Sequence, residues 1–238
     1  MKKPLLVIVL GPTAVGKTSV AISLAKKFNT CIFSADSRQL YKEIPIGTAQ
    51  PSEEELKSVK HFFVATNSVN DPVDAGRFGR EARVLLIEEF RKKPIIIMAG
   101  GSGLYIDAVI NGFDELPDSD SSIREELQKS FGEKGIAVLQ DELKKLDPEY
   151  FGQVDQNNPA RLIRAIEVCR LSGKKYSELR SGKTDSLPFD ILKIGLDLPR
   201  EELYSHINAR VEEMMKNGLE EEARAVFANR KLNALQTV

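Results

Sequence analysis

The sequence has no tryptophan, two cysteines and two histidines in 238 residues, and its 34 lysines and arginines are matched by 35 acidic side chains. Cys31 lies in a strand-like run and Cys169 in a helix-like one. Two such thiols give no disulfide framework and read as small buried hydrophobes of a reduced compartment. His61 and His206 have no ligand-like partners in sequence, so no zinc-type cage is implied. A formal net charge of -1 excludes a basic field over the whole molecule, and any nucleic-acid contact must be a local patch. The apolar run Leu5–Leu10, after Met1-Lys2-Lys3, is too short for a spanning helix or a signal-peptide core. The expectation is a cytoplasmic protein with no membrane partner, and the sequence shows no internal repeat or low-complexity segment.

What is present fits a globular chain able to bury a sizeable core: 42% of the residues are hydrophobic and 29% charged. The continuous apolar run Leu5–Leu10 reads as a parallel strand buried on both faces. It enters the turn Gly11–Lys17, after which Val20, Ala21, Leu24, Ala25 and Phe28 recur at helical spacing. A second strand, Cys31–Ala35, delivers Asp36 at its carboxyl end. Ser52-Glu53-Glu54-Glu55 is a capping box, and Ala75, Phe78, Ala82, Leu85 and Leu86 predict a helix ended by Pro94. Ile95–Met98 is a further buried strand running into Ala99-Gly100-Gly101-Ser102-Gly103 and another helix. This alternation predicts an α/β fold, a P-loop NTPase-like parallel sheet flanked by helices. Acidic and proline residues from Asp114 to Asp120 mark a surface connection, and residues 121–180 are helical in pattern without a long strand. The reading is an α/β core of residues 1–114 and 187–238 with a mostly helical insertion, 115–186. In the returning core Ile191–Leu196 is a strand, Leu203, Ile207, Val211 and Met214 share a helical face, and Asn217-Gly218 ends that helix.

Gly11-Pro12-Thr13-Ala14-Val15-Gly16-Lys17-Thr18 matches the phosphate-loop pattern, with the required strand before it and helix after it. Its glycines let successive backbone N–H groups curl around phosphate, the helix N-terminus adds a positive end, Lys17 a cation, and Thr18 an oxygen for Mg²⁺. Nucleotide hydrolases of this type place a metal-binding aspartate at the end of another strand, whereas Ile95–Met98 ends in Ala-Gly-Gly. The carboxylate that does follow a strand is Asp36, which reads equally as a base and as a loop cap or magnesium-supporting group. The Gly100–Gly103 turn brings backbone and the Ser102 hydroxyl toward a ligand, or uses glycine for conformation alone. Between Gln156 and Lys183 seven basic residues face two glutamates; Arg161 and Arg164, three apart, share a helix face that either grips phosphate or is merely solvated.

Taken together, Gly11–Thr18, Ser34-Ala35-Asp36-Ser37-Arg38-Gln39-Leu40-Tyr41, Ile46-Gly47-Thr48-Ala49-Gln50-Pro51, Gly100–Tyr105, Asn157–Val168 and Gly195–Arg210 resemble the tRNA dimethylallyltransferase (isopentenyltransferase) family over nearly the whole chain. The resemblance implies transfer of a dimethylallyl group from dimethylallyl diphosphate to N6 of the adenine 3′ of the anticodon, with Mg²⁺ and release of diphosphate. It implies that the loop Gly11–Thr18 holds the prenyl diphosphate in place of ATP, with Lys17, Thr18-bound Mg²⁺ and Arg200 neutralising charge as the C–O bond breaks. Asp36 then accepts the N6 proton, with Ser102 near the reacting centre. The same resemblance implies tRNA contacts at Asp36, Ser37, Arg38 and Gln39, at Ser102, at Arg124, and at Ala160, Arg161, Leu162, Ile163 and Arg164. The partners it implies are the tRNA anticodon stem-loop and dimethylallyl diphosphate, with the protein a monomer. Ser102 replaces the family's usual threonine and Ala160 a commonly polar residue. Family members continue beyond Leu235–Val238, so the chain reads as shortened at that end. The rival readings are an adenylate dimethylallyltransferase, a P-loop kinase of nucleotides or small molecules, and an RNA-binding nucleotide switch.

Overall fold

The structure, a computed structural model, describes residues 3–112, 116–117, 120–180 and 186–236. Asp114, Glu115, Asp118, Ser119, Lys183, Thr237 and Val238, and with them the expected core–insertion border at 114, lie outside the described residues. The chain forms two compact units by contact, one of residues 3–112 and 186–236, the other of residues 116–180.

In the first unit the elements run in chain order as β1 (Leu5–Leu10), α1 (Lys17–Phe28), β2 (Ile32–Ser34), α2 (Glu53–Ser58), β3 (His61–Phe62), α3 (Ala75–Phe90), β4 (Ile95–Ala99) and α4 (Gly103–Asn111). The second unit contributes α5 (Ser121–Lys134), α6 (Ala137–Leu146), α7 (Pro148–Phe151), α8 (Pro159–Ser172) and α9 (Tyr176–Leu179). The first then resumes with β5 (Asp190–Gly195), α10 (Arg200–Lys216) and α11 (Leu219–Val226).

The five strands form one parallel sheet in the order β3-β2-β4-β1-β5. β1 reads as an unbroken apolar run because both of its faces are covered. Leu6 and Ile8 pack with Phe78, Ala82, Leu86, Ile106 and Val109 of α3 and α4, while Val7 and Val9 pack with Ala21, Ile22 and Ala25 of α1. The capping box at α2 is present, with Glu55 N–H donating to the Ser52 hydroxyl at 3.2 Å and Ser52 N–H to the Glu55 carboxylate at 2.8 Å. β3 is two residues long, below what periodicity can register, and escapes the sequence reading.

α10 differs in detail from its expected face. Its half-buried positions are Leu203, Ile207, Arg210 and Met214, whereas Val211 is 49% exposed. At 3.6 residues per turn the inward stripe advances from 207 to 210, so an arginine occupies the place expected for valine.

The second unit has its own core, in which Leu127 of α5, Leu139 and Leu143 of α6, Tyr150 of α7, and Leu162, Ile163, Ala165 and Ile166 of α8 pack together. Its described residues contain helices and no strand.

Candidate active site

Three neighbouring strands deliver their following loops to one edge of the sheet. β2, β4 and β1 are adjacent and parallel, so Asp36, the Gly100–Gly103 turn and the loop Gly11–Gly16 all emerge at carboxyl ends, where open α/β sheets bind ligands. Two strand spacings separate β1 from β2, about 10 Å, a width suited to a small ligand between the outer loops.

The phosphate loop is closed by a left-handed residue. Gly16 has φ +95° immediately before α1, a conformation at which any side chain is strained. The first turn of α1 carries no acidic residue, so its positive end stays available to an anion. Lys17 Nζ donates to the carbonyls of Gly11 and Pro12 at 2.9 and 2.7 Å, which holds the ammonium within the curl of the loop. Burial lowers the Lys17 pKa below the ordinary lysine value; the Asp36 carboxylate opposes that fall and the Arg210 guanidinium adds to it. Arg210 is likewise lowered by burial and raised by Asp36. A lysine, an arginine and an aspartate thus share one electrostatic site, and two cations against one anion leave room for a polyanionic ligand.

Asp36 makes the loop cap that was one of its two expected roles, and leaves its second oxygen free of that task. Its Oδ1 accepts from Arg38 N–H at 2.9 Å and Gln39 N–H at 3.4 Å, capping the turn that follows β2. Its Oδ2 takes no hydrogen bond from the described residues and remains an acceptor. Ser102 is bound into the same corner: its Oγ accepts from Ser37 N–H at 2.9 Å and lies 3.2 Å from Ser37 Oγ. Gly100 is required there by close approach, since a Cβ on it would stand 2.1 Å from the Ala35 carbonyl oxygen. The Asp36–Gln39 turn is further braced by Gln39, whose amide donates to the Ala49 carbonyl at 2.9 Å and whose side-chain oxygen accepts from Ser34. Arg38 in turn donates to the Ala234 carbonyl at 2.7 Å.

Arg210 is the residue that sequence reasoning missed, although an arginine in register with Leu203, Ile207 and Met214 was the available signal. Arg200, expected beside the diphosphate, stands at the first position of α10. It is exposed, its Nε and Nη2 donate to Tyr204 Oη at 2.9 and 2.8 Å, and it lies ten residues, about 15 Å along the axis, from Arg210. His206, one turn before Arg210, has its Nδ1 3.3 Å from the Ala14 carbonyl of the phosphate loop.

Among the described residues no three His, Cys, Asp or Glu side chains gather as a metal cage. A Mg²⁺ ion here would draw on the Thr18 hydroxyl and otherwise on substrate oxygens and water, a donor set that suits this hard, readily hydrated ion. His61 donates from Nδ1 to the Val59 carbonyl, and its buried Nε2 has no hydrogen-bond partner among the described residues.

The helical unit places the remaining candidates. Ala160 and Arg161 are exposed at the start of α8, Leu162 and Ile163 have their side chains in the core, and Arg164 is partly exposed. Arg124 and Arg164 both bind the carboxylate of Glu167. Arg170, counted with the basic segment, is occupied by Glu142 and Glu126 at 2.7 and 3.1 Å.

A parallel sheet with a P-loop after β1 and a carboxylate after β2 defines an α/β enzyme of the P-loop class. Residues 39–238 match the family model described as IPP transferase, and the chain belongs to that family. It is 47% identical over 232 residues to a tRNA dimethylallyltransferase of Cytophaga hutchinsonii, covering 98% of this chain and 76% of the relative. The full-length tRNA isopentenylpyrophosphate transferase of Bacillus halodurans superposes with a TM-score of 0.66 at 33% identity, over 99% of this chain and 74% of that one. A eukaryotic dimethylallyltransferase acting on tRNA superposes with a TM-score of 0.79 at 26% identity, over 97% and 57% of the respective chains. No helix among the described residues is long and apolar enough to cross a membrane.

Proposed function

We propose that the protein transfers the dimethylallyl group of dimethylallyl diphosphate to N6 of the adenine immediately 3′ of the anticodon in tRNA, releasing diphosphate. The reading puts it in the cytoplasm, acting as a monomer. The observation that carries it is the arrangement at the carboxyl edge of the sheet: Lys17 held in the phosphate loop by the Gly11 and Pro12 carbonyls, Arg210 one turn beyond His206, which reaches the Ala14 carbonyl of that loop, and the Asp36 carboxylate after β2 acting on both cations.

The allylic C–O bond breaks with its electron pair leaving on diphosphate, and negative charge grows on the oxygens that Lys17, Arg210 and the loop N–H groups face. The N6 lone pair forms the new C–N bond, and the proton displaced from N6 goes to Asp36 Oδ2. An exocyclic amine is a weak nucleophile, because its lone pair is delocalised into the ring. Holding it in line with the allylic carbon and removing its proton are therefore what the protein must supply. The turn Asp36–Gln39, braced through Gln39 and Ser102, positions the target nucleotide. Mg²⁺ on Thr18 supplies charge neutralisation of the diphosphate when bound. Arg124, Ala160, Arg161 and Arg164 make the tRNA contacts, with Leu162 and Ile163 supporting that stretch from the core. The adenine must leave its stack to reach the donor.

The test is mass spectrometry of an anticodon stem-loop RNA after incubation with the protein, Mg²⁺ and dimethylallyl diphosphate. Parallel reactions contain AMP as acceptor, ATP in place of the donor, or a chelator in place of Mg²⁺. A dimethylallyl gain on RNA alone, dependent on both donor and Mg²⁺, is expected. A gain on AMP only, or phosphorylation from ATP, would overturn the reading.

A further inference from the structure

The carboxylate of Glu167, on α8 in the helical unit, is fully buried yet makes its strongest contacts with side chains that reach the surface. Arg124 binds it in two-pronged fashion, from Nε to Oε1 at 2.9 Å and from Nη2 to Oε2 at 3.1 Å. Arg164 Nη1 donates to Oε2 at 2.7 Å, and its Nη2 donates to the Pro117 carbonyl at 2.8 Å. Asp120 N–H fills the last position on Oε1 at 2.8 Å. Four donors among the described residues saturate the acceptor capacity of one carboxylate, so neither guanidinium can rotate without breaking one of these bonds. The two arginine side chains nevertheless keep 37% and 30% of their exposure, against 0% for Glu167. The buried anion holds two partly exposed cations, presented as two planar groups whose orientation is set from below, with the Asp120 carboxylate beside them turned to cap Ile123 N–H.

We propose that Glu167 is the positioning residue of the RNA grip: its carboxylate locks the Arg124 and Arg164 guanidinium groups side by side, in one register for successive phosphates of the RNA backbone. The inference rests on the tRNA reading above. It concerns how binding is organised, because Glu167 itself, being buried, never touches RNA. Planar two-pronged donors recognise phosphate by geometry as well as by charge, and a fixed pair loses less conformational freedom on binding than two mobile side chains.

The sign of one substitution separates positioning from simple charge. Glu167→Gln removes an anion beside two cations. If the arginines attracted RNA only as diffuse charge, affinity would rise and its salt dependence would steepen. If their register matters, affinity falls despite the added positive charge. The experiment measures fluorescence anisotropy of a labelled anticodon stem-loop with wild type and Glu167→Gln over a salt series. Thermal melting and steady-state transfer are followed in parallel.

The expected result is an RNA Kd raised about tenfold, with the KM for dimethylallyl diphosphate and kcat at saturating RNA within about twofold of wild type. Unchanged or tighter RNA binding by a folded variant would overturn the proposal, including the case where only the melting temperature falls. Should Glu167→Gln not fold, Arg124→Lys decides. It keeps the charge but loses the two-pronged contact, and it should weaken RNA binding in a folded protein; wild-type affinity there would refute the idea. Wild type that binds the stem-loop without prenylating it removes the transferase reading while leaving the binding test intact. Wild type that does not bind RNA removes both.

Discussion

Asp36→Asn exchanges the candidate base for a group of the same shape, and the structure says what survives. The amide oxygen can still accept from Arg38 and Gln39 N–H, as Asp36 Oδ1 does at 2.9 and 3.4 Å, so the turn after β2 should persist. Proton acceptance does not, and a positioned general base contributes about a hundred- to ten-thousand-fold, or roughly 3–5 kcal/mol of barrier. Lys17 and Arg210 also lose the one carboxylate that offsets them, so the diphosphate should bind as well as before or more tightly. The expected signature in steady-state prenyl transfer is therefore a kcat lowered at least about a hundredfold with an unchanged or smaller donor KM. Asp36→Ala should lose the same activity and additionally about 1 kcal/mol of stability, the usual worth of a side-chain cap. A kcat within tenfold of wild type for Asp36→Asn would reduce Asp36 to a turn cap and remove it as the base.

Arg210→Met should raise the donor KM about tenfold or more, whereas Arg200→Met, whose partner is Tyr204, should change it less; the reverse order would return the diphosphate role to Arg200. Gly100→Ala forces a methyl to 2.1 Å from the Ala35 carbonyl, so the β4–α4 turn must move; a loss of about 1–3 kcal/mol in chemical denaturation, with reduced turnover, is expected, and a neutral result would refute the close-approach argument. Buried Asp147 is pulled upward by desolvation, but bonds from Tyr150 N–H, Ser177 N–H and the Ser177 hydroxyl outweigh it and hold the carboxyl below its ordinary range. A folded pKa below the unfolded one means stability that is present above about pH 4 and lost as pH falls through the depressed value. Asp147→Asn should flatten that acid-side decline in melting temperature, and an unchanged profile would exclude Asp147 as its source.

The sheet was legible because β1 and β4 are covered on both faces and so are written as unbroken apolar runs. The phosphate loop was legible because glycine, lysine and threonine stand at fixed offsets between a strand and a helix. What was not legible depends on contacts distant in sequence. The partnership of Arg124 with Glu167 spans 43 residues, and nothing in the local charge pattern announces it. For the same reason the basic segment around α8 looked more available than it is, since Arg170 is matched by Glu142 from α6 and Glu126 from α5. Arg210 was hidden by a one-residue phase error on α10, where Val211 was the more natural choice for an apolar stripe. Asp36 shows a third kind of limit. Sequence could not choose between base and cap; the structure shows the cap through Oδ1 and leaves Oδ2 without a hydrogen bond from the described residues.

The most direct test of prenyl transfer at this site is a single-turnover reaction in which prenylated RNA and free diphosphate are counted in the same quenched samples. Nucleoside digestion then locates the added group. Equal amounts of the two products, with the dimethylallyl group on N6 of the adenosine 3′ of the anticodon, are predicted. Diphosphate released without modified RNA, or a dimethylallyl group found on another atom, would contradict the account.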